Sequence, residues 1–580
     1  MTTASPTTTA ATATTKATPE LDVAAGHRLP VPANFPVKWE RPDEASYLWT
    51  FDRLHVPEPI TPADGVYFYC GYEHGVTAAF QHYDVPLRCV ARRINTYVYY
   101  AIAPVVPAAV PPEAQAAQAA RSQERLAAAM GRLAEMWNGE FLPEIKRYLD
   151  EWEAFDLRGV ALSELAAHLE QSVARTKRLY ELHMVIWLPF MMAISGFEDL
   201  SRSLFAGQSA LDAYKLLQGF ENKTVEGGLA LWRLSRQALT SPAVREVLEV
   251  RAAAEVLPAL EHLPEGREFL AAFRTYLAEY GQRGDRWGWS YPSWIEDPTP
   301  AIKTLKNYVT QPHRNLEAQV AGLVAERERL VAEARRQLTG HPPPVRDQFE
   351  FLLQAAQEAN VLTEDHSFWI DFRCMYRVRR VFLECGRRFA EAGVLDQADD
   401  IFCLTPEEIG AAAARLPRMD RRPLAAARRV EMAYFGTITP PAALGTTPAG
   451  PPPDDPLSVA LGKFIGGPPP AASDPAIVRG TAASPGTVRG IARVIRSLTE
   501  AGTLQPGDVL VAAMTAPPWT PLFAVAAAIV TDTGGILSHP AIVAREYGIP
   551  AVVGAGDATV RIADGQLVEV DGSAGVVRLL

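Results

Sequence analysis

The chain has 580 residues, 48% of them apolar, enough material for several hydrophobic cores and two to four domains. Its formal charge is -11, from 67 acidic and 56 basic residues, so no global electrostatic field favours nucleic acid. Five cysteines, Cys70, Cys89, Cys374, Cys385 and Cys403, form no CxxC pair and read as reduced structural thiols, which argues against a disulfide framework or a structural zinc site.

Residues 1–27 begin MTTASPTTTAATATTKATPE, small and polar, and are expected to be a disordered arm. The arm lacks both the apolar core of a secretory signal and the arginines of a transit peptide. AIAPVVPAAVPPEAQ (101–115) is broken by prolines and LFAVAAAIV (522–530) is too short to span a membrane, so the expected location is the cytoplasm. Residues 28–115 read as a mixed α/β part of a substrate-binding body, in which VYFYCGYEHG and INTYVYYAIAPVV supply strands or pocket walls. Residues 116–435 read as a mostly helical continuation of that body. RNLEAQVAGLVAERERLVAEARRQL, for example, repeats apolar residues every three or four positions, and HPPP at 341–344 is a candidate break. Residues 436–475 carry dense proline and glycine and read as a linker. In residues 476–580 the short strand candidates VRGIARVI, DVLVA, AAAIVTD and QLVEVDG surround one compact helix candidate, AIVAREYG. The chain carries neither a GxxxxGK[ST] phosphate loop nor a convincing dinucleotide fingerprint.

The last of these regions holds the sharpest chemical signal, TDTGGILSHPAIVAREYGIP (531–550). Gly534 and Gly535 permit a tight turn and close approach by a large anion, Ser538 is a candidate N-cap, and Pro540 is tolerated in a first helical turn. His539 then sits at the positive end of a helix, where neutral imidazole is a nucleophile near physiological pH and a phosphoryl group finds amide donors. Arg545 either neutralises phosphate or anchors the loop. A turn or core histidine remains the structural alternative.

GTAASPGTVRGIARVIRSLTE (480–500), followed by LQPGDVLVA, TAPPWTPLFAVAAAIVTDTGGILSHPAIVAREYGIPAVVG and DGQLVEVDGSAGVVR, resembles the swivelling phosphohistidine domain of phosphoenolpyruvate-utilising enzymes. The resemblance implies a multidomain α+β chain, with a large mostly helical body and a small C-terminal swivelling β/β/α domain. It also implies that His539 is a transient phosphoryl carrier. Leu537 stands where many dikinases have threonine or asparagine, and Pro540 where alanine is frequent, which departs from the pyruvate-dikinase pattern.

In the body, YLAEYGQRGDRWGWSYPSWIEDP (276–298), FWIDFRCMYRVRRVFLECGRRFAEAGVLDQADDIFCLTPEEI (368–409) and LWTFDRLHVPEPITP resemble rifampicin phosphotransferases. Gln282 replaces the usual histidine of that pattern and cannot accept a proton comparably. Arg283 and Asp285 are candidates for phosphate contact and orientation, with a structural turn as the alternative. Arg373 and Arg377 share a face in a helix and offer donor forks to a phosphoryl group, or to acidic neighbours. Tyr67, Tyr69, Tyr72 and His74, together with His183, Trp187 and Phe190, are candidates for an aromatic-alcohol pocket, with ordinary core packing as the alternative. His55 stands isolated, and His366 reads as a surface, capping or packing residue. No metal ligand set is legible.

The order of domains resembles the histidine-bearing subunit of phenylphosphate synthase. That resemblance implies a separate ATP-grasp subunit that loads His539 from ATP with Mg²⁺, and a phenolic or other aromatic hydroxyl as acceptor, with His183 as its base. Such a chain has no nucleic-acid or membrane partner, and its oligomeric state is open. An antibiotic or small-alcohol phosphotransferase subunit is the nearest alternative. A non-catalytic binding or regulatory protein that retains the phosphohistidine fold is the more distant one.

Overall fold

The computed structural model describes residues 26–105, 110–205, 207, 209–415, 418–450, 453–467 and 474–580. The expected disordered arm therefore lies outside the described residues except for positions 26 and 27.

A large, mostly helical body carries a smaller C-terminal β/β/α domain. The body is built around one 43-residue helix, Leu162–Leu204. Its middle turns bury Ile186, Leu188, Phe190, Met191, Ala193 and Ile194, so it is apolar all round and must be enclosed by other elements. It is also the one helix among the described residues long and apolar enough to cross a membrane, but most of that stretch is buried within the protein. The helices Pro343–His366 and Arg373–Glu391 pack along it, joined to each other by a π-helical turn, Ser367–Phe372. Pro343 at a first helical position marks the break at HPPP.

VYFYCGYEHG folds as helix, not strand. Thr61 accepts from the Asp64 amide and Pro62 opens an α-helix to Tyr69, which continues through a π turn, Cys70–Val76. Here tertiary packing overrides aromatic β-propensity. A Cβ on Gly75 would lie 2.7 Å from the Tyr180 carbonyl oxygen, so glycine lets this turn press directly on the central helix. INTYVYYAIAPVV does supply a strand. Strands β1 (Leu48–Phe51), β2 (Leu87–Ile94), β3 (Tyr97–Pro104) and β4 (Ala443–Gly445) form an antiparallel sheet of order β2-β3-β1-β4. Strand β4 comes from the segment expected as linker. That segment also contains a helix, Pro456–Ile465, capped by Asp455 and packed against the central helix.

The C-terminal domain holds strands β5 (Ile477–Arg479), β6 (Thr481–Ser484), β7 (Thr487–Val494), β8 (Val509–Ala512), β9 (Ala528–Thr531), β10 (Ala551–Val553), β11 (Leu567–Asp571) and β12 (Val576–Leu579). Their order is β5-β12-β11-β7-β8-β9-β10-β6, with parallel pairing from β7 to β10. The edge strands β5 and β6 are separated in sequence only by Gly480, so the sheet curls until its edges meet. Strands β8 and β10 are apolar at every position, and β9 at all but Thr531, because both faces are covered. Val509, Val511, Val530 and Val552 fill the domain's own interior. Leu510, Ala512, Ile529 and Val553 share a second core with Trp232, Phe273 and Tyr308 of the body. That second core seats the domain on the body and presents the β9–helix turn to it.

All five cysteines are free and buried. Phe349 is fully buried between Phe197 and Phe205, with ring centroids at 5.8 and 5.9 Å. Phe349→Ala is expected to destabilise the body by about 3–5 kcal/mol, read as a lowered urea midpoint of its unfolding transition.

Candidate active site

Strand β9 delivers the chain to the TGGILSH turn, and His539 begins the helix His539–Glu546. Its Nδ1 lies 3.1 Å from Oε1 of Glu364, which is on the body helix Pro343–His366. Burial pushes the Glu364 carboxyl up, but His539 beside it and the Thr224 hydroxyl at 2.7 Å outweigh burial and hold it below the ordinary carboxylate range. An ionised carboxylate only accepts, so Nδ1 carries a proton, and whenever the ring is neutral its lone pair is on Nε2. That Nε2 is buried and has no hydrogen-bond partner.

His539 lines a cavity of about 220 Å³ between the domain, the body and the Pro456–Ile465 helix. The same cavity is lined by His183, Tyr67, Tyr72, Trp187 and Phe190, so these sequence candidates converge on it with His539. His183 Nδ1 stands 3.2 Å from Asp371 Oδ1. Burial pushes the Asp371 carboxyl up, yet the neighbouring His183 pulls it below the ordinary range. The Tyr180 hydroxyl donates to Asp371 at 3.1 Å and meets the Tyr67 hydroxyl. His366 stands edge-on to His183 at 4.4 Å, and burial followed by the charge of His183 brings its imidazole down to about 4.

Other candidates lie elsewhere. Tyr69 is exposed, with the Lys177 ammonium over its ring, and His74 pairs with Glu181 at 2.7 Å. Gln282 donates to the Ala278 carbonyl, and Asp285 accepts from the Trp294 indole at 3.4 Å while burial pushes its carboxyl up to about 6. Arg373 binds Glu279 and lies over the rings of Phe368 and Trp369. Arg377 pairs with Glu153. Arg283 is buried against Phe368 and Trp294, donates to the Tyr280 carbonyl and feels the charge of Glu364 without lining the cavity.

The loop residues have local tasks. Arg545 donates to the carbonyls of Ala483 and Ile536 and stacks on Tyr214, so it anchors the loop. The Ser538 hydroxyl donates to the Gly535 carbonyl at 2.6 Å instead of capping the helix. Gly534 has φ +102°, and a Cβ on Gly535 would lie 2.1 Å from the Lys463 carbonyl oxygen. The Gly535 and Leu537 amides donate to the carbonyls of Phe464 and Lys463, so the glycines admit the end of the Pro456–Ile465 helix.

Sequence reasoning missed Glu364, Asp371, Tyr180, Asp52 and Thr515, and read His55 and His366 as isolated or packing residues. His55 and His366 both line the cavity, as does Thr515, whose hydroxyl is buried and unpartnered. The one local hint was the acid-histidine run TEDHSFWID, in which Glu364, His366 and Asp371 share one helix end. Mg²⁺ prefers a cage of oxygens. Among the described residues, His183, His366 and Asp371 bring one possible donor atom each within 4.8 Å, two nitrogens to one carboxylate. That set does not fit Mg²⁺, and no step is derived through it.

Residues 183–364 match the rifampicin phosphotransferase fourth domain, and residues 504–575 match the mobile domain of PEP-utilising enzymes. Two regions of the chain are thus similar to domains of the rifampicin phosphotransferases and of the PEP-utilising enzymes. It is 42% identical over 95% of its length to chondramide synthase cmdD of Chondromyces crocatus, of which it covers 14%. It is 32% identical over 69% of its length to the uncharacterized phosphotransferase YvkC of Bacillus subtilis, covering 47% of that protein. It is 33% identical over 62% of its length to rifampicin phosphotransferase of Streptomyces sviceus, covering 40%. The chain thus spans less than half the length of these relatives.

His366 adds an acid sensitivity. Its imidazole, at about 4 when folded against an ordinary 6.5, binds a proton more readily in the unfolded chain. Its contribution therefore leaves stability intact above pH 6.5 and lowers it progressively as pH falls from there toward 4. The urea midpoint should drop across that window, and His366→Gln should make the drop shallower. Gly535→Ala should separate the loop from the Pro456–Ile465 helix, seen as faster hydrogen exchange of the Gly535-loop amides.

Proposed function

We propose that the protein is the histidine-carrier part of an ATP-dependent phosphotransferase whose acceptor is a phenolic or other aromatic hydroxyl. The observation that carries this reading is the unpartnered Nε2 of His539 at one apolar, aromatic-walled cavity with the His183–Asp371 pair. A separate ATP-grasp subunit loads the histidine from ATP, and AMP and inorganic phosphate leave. His539 is only 12% exposed when docked, so loading requires it to leave Glu364 and present Nε2 elsewhere.

In the docked state the phosphorylated histidine faces the acceptor. His183, whose Nδ1 stands 3.2 Å from the Asp371 carboxylate, takes the hydroxyl proton on Nε2 while the acceptor oxygen attacks phosphorus. The P–O bond forms and the P–Nε2 bond breaks. The freed electron pair returns to the His539 ring, and Glu364 keeps its Nδ1 proton in place. The Thr515 hydroxyl, buried and unpartnered at the cavity wall, is positioned to donate to the transferring oxygens.

Phosphoramidate labels histidine without a loading partner, so intact-mass measurement after such treatment tests the carrier directly. One acid-labile phosphoryl group should appear and should be absent in His539→Ala. A labelled His539→Ala chain with undiminished transfer would sink the reading. His183→Gln should still label but pass its phosphoryl group to phenols about 10²–10⁴-fold more slowly.

A further inference from the structure

We propose that Asp52, His55 and Tyr72 form a second polar anchor in the acceptor pocket, which holds a neutral carbonyl or hydroxyl oxygen on the acceptor, away from the hydroxyl that takes the phosphoryl group. The inference deepens the phosphotransfer reading and rests on it.

The cavity wall holds two sets of paired polar groups, and apolar side chains such as Phe68, Trp187 and Phe464 line it as well. One is the His539–Glu364–His183–Asp371 group. The other comes from the turn after β1 and from the π turn Cys70–Val76. Asp52, only 2% exposed, accepts from the Tyr72 hydroxyl at 2.6 Å, from the His55 ring Nδ1 at 2.9 Å and from the His55 amide at 3.2 Å. The amide bond alone would hold the turn. Burying a carboxylate in an apolar wall to orient an imidazole and a phenol is costly, so the arrangement points to a task beyond the turn.

Both Asp52 oxygens and His55 Nδ1 are occupied, while His55 Nε2 makes no hydrogen bond to the protein among the described residues. Burial pushes the His55 imidazole down, but Asp52 beside it, with help from Asp371, raises it above its ordinary value. With Nδ1 held by the buried Asp52 carboxylate, Nε2 is the ring position left for a ligand, and the neighbouring carboxylate favours its protonated, donating form. The Asp52–His55 pair is neutral overall, so a carboxylate ligand would bring an uncompensated charge into the pocket, whereas a carbonyl or hydroxyl oxygen would not. Trp287 meets the His55 ring edge-on at 5.2 Å and Phe464 lies at 6.5 Å, walls suited to a flat ligand. His55 and Asp371 line one cavity, compatible with a single substituted ring between them.

The test uses 4-hydroxyacetophenone and 4-ethylphenol, which match in shape and differ in one carbonyl oxygen. Titrated against the full unphosphorylated chain by tryptophan fluorescence, the ketone should bind about tenfold more tightly, the worth of a hydrogen bond to a charged group. His55→Phe should bring the ratio to about one. Tyr72→Phe, which removes a single hydroxyl and leaves the ring packing, should reduce it by a few-fold, with an unchanged melting temperature as the check on folding. Transfer from phosphoramidate-labelled chain to both phenols is measured alongside. Transfer to both with a binding ratio near one, or a ratio that survives both substitutions, overturns the anchor and leaves the phosphotransfer reading standing. Labelled chain that transfers to neither phenol, with neither one bound, overturns both.

Discussion

The contact between the His539 imidazole and the Glu364 carboxylate joins the two halves of the molecule chemically as well as mechanically. Glu364 is buried and ionised, and it accepts from Nδ1, so in the neutral ring the lone pair falls on Nε2. Because Glu364 belongs to the body and His539 to the C-terminal domain, this tautomer is imposed only when the two are docked. The second core, which places strands β8 to β10 against body helices, is what makes the contact geometrically repeatable.

The segment between body and domain has a larger part in the site than a tether would. Strand β4 ties its first half to the body sheet, and the Pro456–Ile465 helix ends on the TGGILSH turn itself. Leu461, Phe464 and Ile465 form cavity wall, so the pocket is complete only with the domain and this helix in place.

The basic residues show how residue type misleads without position. Arg373, Arg377 and Arg545 look like phosphate ligands in sequence, yet each is committed to a carboxylate, an aromatic face or a backbone carbonyl. Guanidinium serves packing and loop anchoring as readily as anion binding, because its planar face stacks while its edge donates. The cavity that His539 lines is instead walled by the neutral Thr515 hydroxyl and by the His183–Asp371 pair.

Local pattern alone determined several things about this protein. Apolar spacing of three and four marked the helical body, and the composition break marked the segment before the last domain. A glycine pair, a serine and a histidine at a strand-to-helix turn singled out His539. These are legible because each depends on neighbours within a few positions. Tertiary structure decided the rest. It made VYFYCGYEHG a helix, because glycine let that segment press on the central helix. It also brought Glu364, His183, Asp371 and His55 to one cavity from segments far apart in the chain. A hydrogen bond between residues 175 positions apart leaves no local trace in either segment, so only the fold could supply His539 with its carboxylate.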